Sequence, residues 1–174
     1  EFRRVLFRSA LSDGGTALMP LASYPFSPHY GWIADRYGVS WQLMLTDPAG
    51  DRRPFITPSL LFGQTNQGRA AEAIDRYTSL FNGAVGTMVH QPDTAGPVAG
   101  EVMFADFQLA GQWFSAMDSA GHDFTFNPGV SFMVRCADQG EIDRLWDALS
   151  AVPAAEQCGW LVDRYGGSWQ IGPA

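Results

Sequence analysis

The stretch Gly31–Leu43, GWIADRYGVSWQL, returns at Gly159–Ile171 as GWLVDRYGGSWQI, 128 residues further on. Nine of the thirteen positions are identical, and three of the other four exchange one apolar residue for another. A phrase repeated at this length marks a repeated structural unit. A shorter echo supports the reading. Ala10–Ser12 reads ALS, and the same letters close the helical pattern GEIDRLWDALS at Ala148–Ser150. From Ser12 to Gly31 is 19 residues and from Ser150 to Gly159 is 9, so the first copy carries ten more, enough for a short strand and a turn. The chain therefore reads as the tail of one domain followed by a nearly complete copy of the same domain. The expected divisions are a non-native leader over 1–9, a remnant of the preceding domain over 10–45, a linker over 46–54 and the nearly complete domain over 55–174.

The leader, EFRRVLFRS, matches nothing downstream and resembles the read-through translation of a sequencing adapter, so it is set aside. The whole chain has 11 cations against 18 acids, a net charge of −7; without the leader the count is 8 against 17, or −9. That balance argues against nucleic acid or an anionic membrane surface as a partner, since neither would meet a counter-charge. No apolar run is long enough to span a bilayer. Every cation is arginine. This removes the Schiff-base lysine of pyridoxal enzymes and the lysine of a phosphate-binding loop. The sequence has no G-x-G-x-x-G after a strand, no G-x-S-x-G and no H-E-x-x-H, and His29, His90 and His122 are scattered. Cys136 and Cys158 form no C-x-x-C and read as small hydrophobes of a reducing cytoplasm.

From Thr46 the polar stretch TDPAGDRRP reads as linker. Phe55–Phe62 reads as a strand, then NQGRAAEAIDRYTSLFNG as a helix with Ala70, Ile74, Tyr77 and Phe81 on one stripe and Asn82-Gly83 as its stop. Three strands follow, AVGTMVHQ, GEVMFADFQL and GQWFSAMDS, with Gly111 at a tight hairpin. Gly129–Cys136 reads as a strand and DQGEIDRLWDALS as a helix, capped by Asp138 with Glu141 three residues on. CGWLVD and GSWQI close as a hairpin through RYGG. The order is βαβββ, then βαββ with the extra strand shortened. This is an α+β fold of paired βαβββ modules: mostly antiparallel sheets around a cavity, with helices outside.

The phrases AIDRYTSLF, MFADFQLAGQWFSAMDS, GVSFMVRCADQGEIDRLWDALS and CGWLVDRYGGSWQI resemble the PhnB-like branch of the glyoxalase/bleomycin-resistance (vicinal oxygen chelate, VOC) superfamily, whose label is 3-demethylubiquinone-9 3-methyltransferase. The resemblance covers about 54–171, with 10–45 as a partial preceding copy. It implies a divalent metal between the two modules, held by His, Gln or Glu. Carried over, those positions fall near Thr57, Ala116, Ser131 and Gln170. Only Gln170 is a plausible ligand, so no metal and no other cofactor is expected. Methyl transfer is not expected either, since no glycine-rich strand-to-helix turn is present.

Strand alternation places Ser168 with Gln170 on one face and Trp169 with Ile171 on the other. If Trp169 packs beneath a helix, then Thr57, Ser59, Ser131, Met133 and Arg135 join Gln170 on a cavity face, with Phe114 and Ala116 as further lining. His122, Phe124 and Phe126 lie on a loop that could cover its mouth. These are candidates for a small organic ligand; the competing reading is a filled barrel in which Gln170 and Ser131 satisfy each other. Asp163 and Arg164 suit a surface turn, and Trp160 and Trp169 suit the core. Three functions stay open: a metal-free small-molecule-binding domain, a metal-dependent VOC enzyme completed by a missing half-domain or dimer mate, and a non-catalytic sequestering protein. A homodimer, or pairing with the preceding domain, would cover the sheet edges.

Overall fold

The computed structural model describes residues 10–45, 49–50 and 52–174. The leader over 1–9 and part of the linker lie outside the described residues. The chain divides into two compact units, Glu1–Arg52 and Arg53–Ala174.

In the first unit Ala10–Ser12 are helical. Three antiparallel strands follow in the order β1 (Thr16–Tyr24), β2 (Ser27–Ala34), β3 (Ser40–Met44). Ile33 pairs with Trp41 and Ala34 with Ser40. The ten additional residues form most of β1, the extra strand expected for this copy.

The second unit holds two modules. The first runs β4 (Ser59–Gly63), α1 (Ala70–Leu80), β5 (Ala84–His90), β6 (Val102–Leu109), β7 (Gln112–Ser119), with sheet order β4-β7-β6-β5. The second runs β8 (Ser131–Cys136), α2 (Gln139–Leu149), β9 (Trp160–Val162), β10 (Ser168–Pro173), with order β8-β10-β9. In each module the first strand pairs in parallel with the last, β4 with β7 and β8 with β10; the other pairings are antiparallel. The first strand is shorter than the sequence suggests. Phe55 and Ile56 stand 90% and 60% exposed before it, and the ladder to β7 begins at Ser59. Pro58 accounts for the late start, since it has no amide to donate to a ladder.

The edge of β9 that would carry the missing strand is closed by the connection from α2. Ala151 N donates to Val162 O, and Gln157 and Trp160 exchange backbone bonds. A short connection does here what β1 does in the first unit, and keeps the edge from templating another chain.

Each helix buries part of its apolar face, with Phe81 just past α1 and Ile142 and Trp146 on α2 only partly buried. Ala70, Ala73, Ile74 and Tyr77 are buried on α1, and Leu145 and Leu149 on α2. Burying each leucine contributes about 1.5–3 kcal/mol. Asp138 caps α2 by accepting from Glu141 N at 2.9 Å, and Glu141 Oε2 accepts from Ala137 N at 2.9 Å. α1 has no local side-chain cap. Asp118 on β7 supplies one instead, accepting from Ala70 N at 3.1 Å and from Val102 N at 2.8 Å. The stop of α1 is as expected: Asn82 has φ +48°, and a Cβ on Gly83 would lie 2.0 Å from Gln108 O. One buried cluster joins both modules, from Phe62, Ile74 and Phe107 to Leu145, Leu161 and Trp169.

Candidate functional site

The phrase DRYG builds its own turn in both copies. Asp35 Oδ1 accepts from the amides of Tyr37 and Val39, both at 2.9 Å, and Asp35 Oδ2 accepts from Trp41 Nε1 at 2.9 Å. Asp163 does the same with Tyr165 N at 2.9 Å, Gly167 N at 2.8 Å and Trp169 Nε1 at 2.8 Å. The second copy adds a fourth donor, the Tyr77 hydroxyl of α1 at 2.6 Å. Asp163 is 2% exposed, so the expectation of a surface turn is corrected here. Four donors replace the water the carboxylate loses, which is what a buried charge requires. Arg164 beside it remains exposed. Burial, and then the Asp163 charge, raise the Tyr77 phenol well above its ordinary range. Tyr165, buried and donating to Glu72 at 2.7 Å, is pushed up to about 12, first by burial and then by that bond. Arg69 lies 4.5 Å over the Tyr165 ring, and its hydrogen bond holds the Glu72 carboxyl below the usual range. This cluster ties β9–β10 to α1. Trp169 stacks on Phe81 at 5.2 Å and meets Tyr77 at 5.3 Å.

With Trp169 and Ile171 packed into the core, alternation turns Gln170 to the other face. Ser131, Met133 and Arg135 of β8 share that face by register, Ser131 opposite Ser168 and Met133 opposite Gln170. Gln170 Nε2 donates to Ser131 Oγ at 2.7 Å, so these two do satisfy each other. Met133 is 64% exposed and Arg135 is exposed, so nothing in this unit covers them. The other candidates lie elsewhere. Phe114 and Ala116 are in the core. Thr57 precedes β4, half-buried, and Ser59 is exposed opposite Ser115. His122 is exposed, with Nδ1 2.5 Å from Ser119 Oγ and its ring stacked on Phe124 at 5.6 Å. Phe126 packs edge-on against Phe62 at 5.1 Å, closing one end of the core. Their loop crosses β4 so closely that a Cβ on Gly63 would lie 2.9 Å from Phe124 O.

The same sheet face carries an open groove of about 580 Å³, lined by Pro128, Gln157, Cys158, Trp160, Val162 and Ser168 among others. Ser168 is 3% exposed, and its hydroxyl is the one buried side-chain N or O among the described residues that has no partner. Ser168 was a candidate from sequence. Cys158 and Trp160 were not; the signal that could have found them is the change at the repeat, where Cys158 stands in the place of Tyr30.

The donor set does not fit the metal that the fold family implies. Ala116 is a core residue, Thr57 lies outside the strands, and Ser131 is engaged by Gln170. Among the described residues no group of three or more His, Cys, Asp or Glu is placed to hold an ion. Cys136 and Cys158 are free thiols, the first buried and the second exposed. Among the described residues no helix is long and apolar enough to cross a membrane.

The pattern of the family described as 3-demethylubiquinone-9 3-methyltransferase matches residues 5–44 and 54–172. Its first stretch begins inside the segment read as leader. Among solved structures, the PhnB protein of Bacillus cereus is 34% identical, with a TM-score of 0.60 over 70% of this chain and 100% of that one. A protein from Pseudomonas aeruginosa has a TM-score of 0.53 at 22% identity, over 68% of this chain and 96% of that one, which bears on the fold alone. No curated protein matches.

Proposed function

The chain belongs to the 3-demethylubiquinone-9 3-methyltransferase family, with the paired-module fold of the VOC superfamily, and from that premise we propose that Arg53–Ala174 is a small-molecule-binding domain that works without a bound metal. The observation that carries this reading is the open groove of about 580 Å³ beside β9 and β10, lined mostly by apolar side chains with few polar groups. The groove's volume lies within the range of ligand sites. We read the first unit as the closing part of a preceding domain of the same kind. Two unpaired thiols support a reducing, cytoplasmic setting. The exposed edge residues Val85 and Val89 of β5 offer a place for a second copy to pair.

The test has two parts. Elemental analysis of protein purified without chelator should find no stoichiometric divalent metal; one metal per chain, lost in Gln170→Ala, would overturn the metal-free reading. Melting temperature should rise in a panel of neutral and charged aromatic and aliphatic compounds, because a ligand that binds only the folded state stabilises it. A flat response across the panel would leave the domain as a filled scaffold.

A further inference from the structure

We propose that Asp106, Trp113 and the backbone bulge at Gly86 and Thr87 form a binding site for a guanidinium group, filled in this structure by the chain's own Arg53 and open to a small guanidinium compound when Arg53 leaves it. The site lies on the sheet of the first module, so it stands or falls separately from the groove beside β9 and β10.

Phe107 and Phe114 belong to the core. Strand alternation therefore turns their neighbours Asp106 and Trp113 to the opposite face of the sheet. The ladder sets the two diagonally, with Asp106 opposite Ser115 and Gln108 opposite Trp113. Arg53 stands on that face. Its guanidinium carbon lies 3.8 Å from the centre of the Trp113 ring. Its Nε donates to Asp106 Oδ2 at 3.0 Å, and Nη2 lies 3.0 Å from the same oxygen. A carboxylate at the edge and an indole against the flat face suit a planar, weakly hydrated cation better than a compact ammonium.

The cradle is built by the sheet and not by Arg53. The register of β5 against β6 slips between Val85 and Thr87, and Thr87 N donates to Asp106 Oδ1 at 2.7 Å. That bond holds the carboxylate in place whatever occupies its other oxygen. Gly86, at the slip, keeps the space clear. A Cβ there would lie 2.5 Å from Asp106 Oδ1 and 3.1 Å from the Trp113 ring. The occupant is different in kind. Arg53 comes from the end of the polar stretch Thr46–Pro54, outside any helix or strand, and its side chain is 26% exposed. A preorganised site thus holds a tethered occupant, which a free ligand of the same chemistry can replace. The net charge of −7 favours the approach of a cation.

The test follows the Trp113 indole signal by nuclear magnetic resonance in the isotope-labelled full chain, while N-butylguanidinium is added at constant ionic strength. Arg53→Ala empties the cradle and leaves its walls intact. It should saturate at about tenfold less ligand than the parent, where the tethered Arg53 competes at a high effective concentration. N-butylammonium should need severalfold more than N-butylguanidinium. Asp106→Asn in the Arg53→Ala background should abolish the shift. Gly86→Ala in the same background crowds the carboxylate without removing a charge. It should weaken binding, and it serves if the Asp106 variant fails to fold. No saturable shift in Arg53→Ala would reduce the contact to a fastening of the linker and overturn the proposal. Equal binding by the parent and Arg53→Ala, or binding untouched by either cradle variant, would put the ligand outside the cradle. That would sink the proposal and leave the small-molecule reading intact. Butylammonium binding as tightly as butylguanidinium would sink the ligand class.

Discussion

Gly31–Leu43 and Gly159–Ile171 are nearly the same thirteen residues in two surroundings. In both, an aspartate gathers two backbone amides and an indole, and glycine takes the positive-φ position, +83° at Gly38 and +86° at Gly166. Yet Tyr37 is 84% exposed and Tyr165 1%. The difference is α1, which brings Tyr77 and Glu72 onto the second copy. The turn is thus a local property of the phrase. Its burial belongs to what packs on it.

The largest effect that could break this contrast is loss of the buried carboxylate. Asp163→Ala strands the Tyr77 hydroxyl, the Trp169 indole and two amides. It should cost about 3–5 kcal/mol. Asp35→Ala should shift the urea midpoint, followed by tryptophan fluorescence, much less. Equal losses would mean that α1 adds nothing to the turn. Tyr77→Phe removes only the donor that the first copy lacks, and should cost about 2 kcal/mol, the scale of a hydrogen bond to a charged group. A neutral result would move the stabilising role to ring packing alone.

Gly167 marks a finer difference. A Cβ there would lie 2.9 Å from Asp163 Oδ2, whereas the first copy carries Val39 at the same place, 43% exposed. Gly167→Val should cost about 1–2 kcal/mol by crowding the carboxylate. Adding Tyr77→Phe should cost less than the sum of the two, which a double-mutant cycle would measure.

The smallest effects are pH responses of opposite sign. The indole bond of Trp41 holds the Asp35 carboxyl below its ordinary range. Its contribution is present above the unfolded pKa and fades as pH falls through the lower folded value, so Asp35→Asn should flatten the acid limb of the first unit. Tyr165 shifts the other way, up to about 12. Its contribution is full below about 10, the unfolded value, and lost as pH rises towards about 12. The alkaline loss of stability, read at Trp169, should be smaller in Glu72→Gln, where the folded phenol value falls towards the unfolded one and the gap between them narrows. An unchanged profile would leave burial alone as the cause.

Everything governed by near neighbours was legible in the sequence. The α+β order, the buried residues of α1 and α2, the Asp138 cap, the Asn82-Gly83 stop and the opposite faces of Trp169 and Gln170 follow from spacings of four residues or fewer, where helix and strand periodicity act; the repeat was legible as a copied phrase. The pairing of Gln170 with Ser131 was also foreseen, as one of two alternatives. What the tertiary structure alone decided lies between residues far apart in the chain. Asp118 caps a helix 48 residues before it. Asp163 is buried because Tyr77 reaches it from 86 residues away. Phe114 and Ala116 fall in the core because β7 lies inside its sheet, against β4 and β6. The Ser168 hydroxyl is left without a partner, although its counterpart Ser40 accepts from the Trp32 indole. Local pattern sets what each segment can form; which faces become dry, and which group is left without a partner there, depends on what packs across from it.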